Sequence, residues 1–369
     1  MKTNHRFLVL ALVLCGISAC TNTQSFTYNG INYKVTSTSP REVKVANSRR
    51  YSGAAVIPAS VVYNSNTYAV TAIGNSAFYN CSDLTSVIIP ESVKTIGNKA
   101  FYECSGLTSV TIGNSVETIG HAAFSGCSGL TSVTIPNSVK TIENYAFSGC
   151  RGLTSVTIGN SVETIGAWAF EECSKLTSVT IGNSVETIGE RAFSGCSGLT
   201  SVIVEDGTTT LSFGISSLQN CPVSTLYLGR NISYYSFGSN YDSPFESKTT
   251  LTSLTIGNSV TSIGDGAFYG CSGLTSVTIG NSVETIGNFA FSGCRGLTSV
   301  IIGNSVETIG ERAFRYCSSL ETIYVKAINP PAVGKNAFRK VPAGIPVYVP
   351  YDRESVYRSA AGWSSLSIR

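Results

Sequence analysis

Leu107-Thr-Ser-Val110-Thr-Ile112-Gly-Asn-Ser-Val116-Glu-Thr-Ile119-Gly-His-Ala-Ala123-Phe124-Ser-Gly-Cys127 decides the fold, because the chain repeats it with small changes along most of its length. Cys81, Cys104, Cys127, Cys150, Cys173 and Cys196 lie 23 residues apart, as do Cys271, Cys294 and Cys317. Three residues after each of these cysteines the next unit's Leu appears, as at Leu130. A unit of this size cannot bury its apolar face alone, so near-identical copies must stack side by side around one continuous core. The expected architecture is a solenoid of about 12 coils, β-rich, with a parallel strand and a short helical turn in each.

The local signals divide the coil. Thr108 to Ile112 alternates polar and apolar residues and is β-branched, which predicts a short strand with Val110 and Ile112 inward. Gly113-Asn114, or Pro136-Asn137 in a sister coil, marks a turn. Val116 and Ile119 point inward from a second extended segment, and Ala123-Phe124 to Cys127 carries the spacing of one helical turn. The pattern slips twice. Cys221 lies 25 residues beyond Cys196, and the following marker slot holds Lys248, 27 further on and 23 before Cys271. Phe245 and Leu251 keep the usual offsets around it, so residues 205–250 form irregular coils with small insertions. Phe338 and Val341 fill the Phe and Cys slots of a last degenerate coil.

The ends differ from the body. Lys2 and Arg6, the apolar run Phe7 to Leu14 and Ile17-Ser18-Ala19-Cys20 form an export signal too short to be a permanent span. The organisation that follows is a signal peptide over 1–19, an N-terminal β cap over 20–53, the repeat solenoid over 54–345 and a C-terminal cap over 346–369 containing Trp363. Charged residues make up only 13% of the chain and the formal charge is +3, too little to indicate nucleic acid as a partner. Removing 1–19 takes Lys2 and Arg6 and no acid, leaving +1.

The unit resembles the BspA-type leucine-rich repeat, and Ile17-Ser-Ala-Cys20 resembles a bacterial lipobox. Phe26-Thr-Tyr28-Asn-Gly30 and Tyr348-Val-Pro350 to Gly362-Trp363 resemble the flanks of that family's surface proteins. The resemblance implies a right-handed leucine-rich-repeat solenoid and lipidation of Cys20. It also implies anchoring to the outer membrane of a Gram-negative anaerobe, where some family members adhere to host matrix proteins or to other bacteria. Relatives directed to the outer face carry an acidic run after the lipidated cysteine. Here Thr21-Asn-Thr-Gln-Ser25 follows instead, so either membrane face stays open.

Little in the sequence points to catalysis. Beyond the leader the only histidine is His121, in a slot that sister coils fill with Asn, Ala, Glu and Asp, which reads as a solvated variable position. No Gly-x-Ser-x-Gly elbow, phosphate-binding glycine loop or His-Glu-x-x-His is present, and no Cys-x-x-Cys pair suggests zinc. Neither metal nor cofactor is expected. The body cysteines fall one per coil at an inward slot where Val341 can stand in, so they read as small buried hydrophobes with free thiols. Glu117, Glu163, Glu186, Glu284 and Glu307 form an exposed acidic row interleaved with Lys94 and Lys140, and Ser-x-Thr ladders line the outer strand face.

Recognition is left to the variable side chains. The pair after Ile-Gly brings Trp168 and Phe289, and the pair after Phe brings Tyr316. The insertion adds Tyr234, Tyr235, Phe237 and Tyr241, and aromatics of this kind are frequent anchors of binding surfaces. The expected function is a non-catalytic, lipid-anchored surface that binds a protein or glycan in the manner of an adhesin. The alternative is a passive envelope-assembly scaffold, and the interruption between the regular blocks is the first place to look for function.

Overall fold

The computed structural model describes residues 24–237 and 240–369, with side chains described outside 236–241. It is a parallel β-solenoid of about 14 turns with nearly no helix. Two interrupted strand ladders line it. Strands such as Ser86 within Leu84–Ile88, Ser109–Thr111 and Ser132–Thr134 carry the first, with Val87 opposite Val110 and Val133 opposite Val156. Two-residue strands carry the second, with Ile96, Ile119, Ile142, Ile165 and Ile188 in one column. In the regular coils each residue faces its equivalent 23 positions away, because a one-residue slip would turn an apolar row to solvent.

The turn count exceeds the dozen read from the cysteines because the ladders continue without the marker. Arg41–Val45 pairs in parallel with Asn66–Ile73, placing Val45 and Ile73 in the isoleucine column. At the far end Pro346–Tyr348 and Ser367–Ile368 extend the first ladder. Both ends are closed. Ser25–Tyr28 and Ile31–Thr38 run antiparallel beside Arg41–Val45, and Phe26 stacks on Tyr63 at 4.2 Å. The helix Glu354–Ser359 brings the Tyr357 hydroxyl to the Ala327 carbonyl at 2.6 Å, and Trp363 Nε1 donates to Pro331 at 2.8 Å.

The expected helical turn is absent. Residues 120–127 instead form successive β-turns, with Ala123 N–H donating to Gly120 and Cys127 N–H to Phe124. Ala122 (φ +52°) and Gly126 (φ +77°) stand third in these turns, the left-handed position of a type II turn. The flipped peptides send alternate N–H groups to the next coil: Ala122 to Asn144, Phe124 to Ala146 and Gly126 to Ser148. A helix would have kept those donors within one coil. The turns make the third side of the coil a hydrogen-bonded wall as well.

The core is a set of columns. Phe78, Phe101, Phe124, Phe147, Phe170 and Phe193 stack at centroid distances of 4.9–5.3 Å with planes within 7° of parallel. All are essentially without exposure. Each contributes about 1.5–3 kcal/mol through burial before entropy is subtracted, and such stacks add roughly 0.5–1.5 kcal/mol. The column ends with Phe314 on Phe338 at 5.6 Å and Phe338 against Trp363 at 5.7 Å.

The ten body cysteines are buried and free. They do more than fill space. Each thiol from Cys104 to Cys196 donates to the carbonyl of the phenylalanine 26 residues earlier, for example Cys127 to Phe101 at 3.1 Å. That carbonyl also accepts the N–H of its own coil's cysteine, so both of its lone pairs are used.

Candidate functional site

Residues 205–250, where the period slips, are organised mainly by repairs to the stack. Lys248 replaces a cysteine, and its ammonium donates to the carbonyls of Leu218 at 2.6 Å and Cys221 at 3.2 Å. Leu218 holds the phenylalanine slot of its coil, so the amine supplies the bond that a thiol supplies elsewhere. Burial pulls the Lys248 pKa down, opposed by the thiols of Cys221 and Cys271. Beside it lies a cavity of about 330 Å³ bordered by Asp242, Glu246 and Gln219. Burial raises the Glu246 carboxyl, and Asp242 adds to that rise.

Two further repairs follow from the changed coil lengths. Arg230 is fully buried and reaches back two coils, where its guanidinium donates to the Asn183 and Gly182 carbonyls at 2.8 Å and to Thr209 Oγ1 at 3.2 Å. Burial lowers its pKa against the pull of Glu205 and Glu186. The second ladder breaks between Ile232–Tyr234 and Ser262–Ile263. There the Asn231 side chain bridges the gap, accepting N–H groups from Thr261 at 2.9 Å and Ser262 at 3.1 Å and donating to Thr261 Oγ1. Neither residue was singled out from the sequence, although Arg230 is the only basic residue in the slot that Asn114 and its equivalents hold, where the other charges are Glu91 and Asp206.

The insertion aromatics separate into three groups. Tyr234 pairs in register with Phe213, which faces Ile188, so it continues the isoleucine column. Its ring packs against the core and its hydroxyl donates to the Asp265 carbonyl at 2.7 Å. Tyr235 is 55% exposed. Phe237 and Tyr241 lie on a small antiparallel hairpin, Ser236–Phe237 with Asn240–Tyr241, and their side chains fall outside the described ones. Cys20 and the leader also lie outside the described residues.

The variable slots in the turns prove to be structured. The first residue after Ile-Gly forms a ladder wherever it is Asn or Asp. Asn98 Oδ1 accepts the His121 N–H at 3.1 Å, Asn144 that of Ala167 at 2.8 Å and Asp265 that of Asn288 at 2.7 Å. His121 is therefore half-buried in this ladder rather than merely solvated, and its ring meets Tyr145 edge-on at 5.4 Å. The second residue has positive φ, including Lys99, Tyr145, Trp168, Arg191, Phe289 and Arg312. Trp168 stacks on Tyr145 at 4.9 Å and Arg312 covers Phe289 at 5.1 Å, so both rings are half-buried by neighbours. Tyr316 is 40% exposed with the Arg315 guanidinium 4.4 Å from its ring centre. Trp168, Phe289, Tyr316 and the insertion sit on different coils and do not converge on one pocket.

The outer strand face holds an aromatic feature that the reading of the turns passed over. Its column runs through Thr180, Ile203, Tyr227, Thr255, Thr278, Ile301, Tyr324 and Tyr348. Tyr324 stacks on Tyr348 at 5.0 Å, and both remain about two-fifths exposed. The sequence signal was available: Thr322-Ile-Tyr-Val325 puts Tyr where regular units put Thr. In the acidic row, Lys140 pairs with Glu163 at 2.6 Å on the open surface.

A stack of parallel strands on a 23-residue repeat, with leucine, isoleucine, phenylalanine and cysteine columns, defines a leucine-rich-repeat protein. The model of the BspA type leucine rich repeat region matches residues 61–170, 117–244 and 238–350, and the chain belongs to this family. Among solved structures, the chain is similar to a leucine-rich repeat protein from Bacteroides ovatus, at 27% identity over 93% of this chain and 99% of that one, with a TM-score of 0.45. It is also similar to the leucine-rich repeat protein of T. pallidum, at 28% identity over 53% and 89% of the two chains with a TM-score of 0.47. A leucine rich cell surface protein from Faecalibacterium prausnitzii shares 24% identity over 82% and 94%, with a TM-score of 0.41. No curated protein matches the chain. Among the described residues no helix is long and apolar enough to cross a membrane.

Proposed function

We propose that the chain is a non-catalytic envelope lipoprotein, anchored to the outer membrane through Cys20, whose solenoid presents a surface for protein or glycan binding at the cell exterior. One observation carries this reading. Tyr316, Tyr324 and Tyr348 project from slots that regular coils fill with Gly or Thr, so the stack does not require them, and each stays about two-fifths exposed. Exposed aromatics that the core does not use are the side chains from which binding anchors are made.

The test is a binding screen of the protein on immobilised matrix proteins, mucins and glycans, repeated with Tyr316→Ser and with Tyr324→Ser/Tyr348→Ser. Loss of a specific interaction with unchanged thermal unfolding supports the reading. A clean negative under varied salt and calcium favours a passive envelope scaffold, a role with which the half-buried, hydrogen-bonded Tyr234 agrees. Fatty-acid labelling of the wild type and Cys20→Ala decides the anchor, and protease shaving of whole cells decides the membrane face.

A further inference from the structure

The turn wall opens toward the N-terminus in two adjoining depressions of about 270 and 320 Å³, separated by the loop 48–52. Arg49 and Arg50 line both. Tyr79 and Asn80 complete the first, while Gly30, Asn32 and Ser52 contribute to the second. Neither lining contains an acidic side chain. Both arginines are exposed, and neither joins an ion pair among the described residues. The Glu103 carboxylate, one coil further along, lies against Gly126 of the following coil and so faces away from the opening.

Tyr79 gives the first depression an aromatic wall. Its ring stacks on Tyr102 at 5.2 Å with planes 11° apart, and Lys99 Nζ sits 5.7 Å from the Tyr102 ring centre. The depression takes its lining from 49–50 and 79–80 and nothing from the coil of Tyr102, so it adjoins the side of Tyr79 that Tyr102 leaves uncovered. The backbone behind the ring is fixed: Asn80 N–H donates to the Tyr102 carbonyl at 2.8 Å, and Asn80 holds a left-handed turn position.

A stacked aromatic residue sharing one depression with two arginines outside any ion pair matches one kind of ligand. Aromatic faces pack against the C–H face of a pyranose, and guanidinium forks bind carboxylate or sulfate bidentately. We propose that Arg49, Arg50 and Tyr79 form a binding site for an acidic saccharide, with the anionic group on the arginines and the sugar ring on Tyr79. This rests on the reading of the chain as a ligand-presenting surface and names the ligand class for one place on it. The second depression continues the arginine ridge and offers room for a neighbouring sugar.

Calorimetric titration of the protein with a hyaluronan tetrasaccharide, a chondroitin sulfate tetrasaccharide and the neutral chitotetraose tests the site, and the first two separate carboxylate from sulfate as the anchoring group. Acidic saccharides bind and weaken with added salt, whereas the neutral one does not. Arg49→Gln/Arg50→Gln weakens binding by about tenfold or more and flattens the salt dependence. Tyr79→Leu weakens it while leaving the salt dependence in place. Arg295→Gln, an exposed arginine on a distant coil, has no effect. Thermal unfolding of each variant confirms the fold. Equal binding of neutral and acidic saccharides, or the same loss in Arg295→Gln as in the double variant, overturns the assignment. Binding to a matrix protein or neutral glycan with none to either acidic tetrasaccharide overturns it too, and leaves the ligand-presenting reading standing.

Discussion

The Lys248 ammonium donates to the Leu218 carbonyl at 2.6 Å, in the column where Cys221 donates its thiol to Phe193 at 3.0 Å and Cys271 to Phe245 at 3.1 Å. A charged amine thus replaces a neutral thiol without losing the bond between coils. It also gains the Cys221 carbonyl, which the longer side chain can reach.

Lys248→Met keeps much of the packing and removes the donor. The expected cost is about 1–3 kcal/mol, the penalty for leaving buried carbonyls short of a partner. Urea unfolding measures it. A stability equal to wild type would show that the amine is incidental.

Arg230→Met leaves the Gly182 and Asn183 carbonyls without the guanidinium and should destabilise by about 2–4 kcal/mol. Arg230→Lys recovers only part of this, because one ammonium cannot span the fork. Equal stability of the lysine variant and the wild type argues against the bidentate role.

The thiols whose protons burial holds make stability fall at alkaline pH. Burial pushes Cys150, Cys271 and Cys317 up to about 12 from an ordinary 9.0. Unfolded thiols ionise above pH 9 while native ones keep their protons, so unfolding releases protons there. The stability is fully present below pH 9 and declines toward pH 12, by up to ~1.4 kcal/mol per thiol per pH unit. Unfolding curves across this range show the slope, and Cys150→Ala reduces it by one thiol's share. The ten body thiols should likewise resist alkylation until the chain is unfolded.

Ser247 occupies a left-handed turn position, φ +53°, that Gly126, Gly149, Gly195, Gly270 and Gly293 fill in sister coils. Ser247→Gly removes the steric cost of that conformation and should stabilise by roughly 0.5–1 kcal/mol after the glycine's greater unfolded entropy is counted. A lower melting temperature would mean that the serine side chain earns its place through contacts.

The period of 23, the inward columns and the parallel register were legible in the sequence because each follows from apolar residues recurring at fixed offsets. The turns were not. Ala123-Phe124 to Cys127 has helical spacing, yet the N–H groups of Ala122, Phe124 and Gly126 bond to the next coil, and only a neighbour in space can supply those carbonyls. For the same reason the slot of His121 looked free, when its N–H is held by Asn98 in the coil before it.

The sequence by itself determined that this chain stacks near-identical coils and belongs with the leucine-rich repeats, since the repeat recurs within one strand of text. Tertiary structure decided what the exceptions do. Lys248 and Tyr234 read as departures from the pattern, and Arg230 and Asn231 did not stand out at all; three of the four point to carbonyls 27 to 48 residues away while Asn231 holds backbone N–H groups 30 and 31 residues on. Those distances along the chain shrink to bonding range only once the coils are stacked. The exposed aromatics that the stack leaves unused, and Arg49 and Arg50 beside Tyr79, emerge as surface for the same reason: the columns had to be filled before it was clear which side chains were left over.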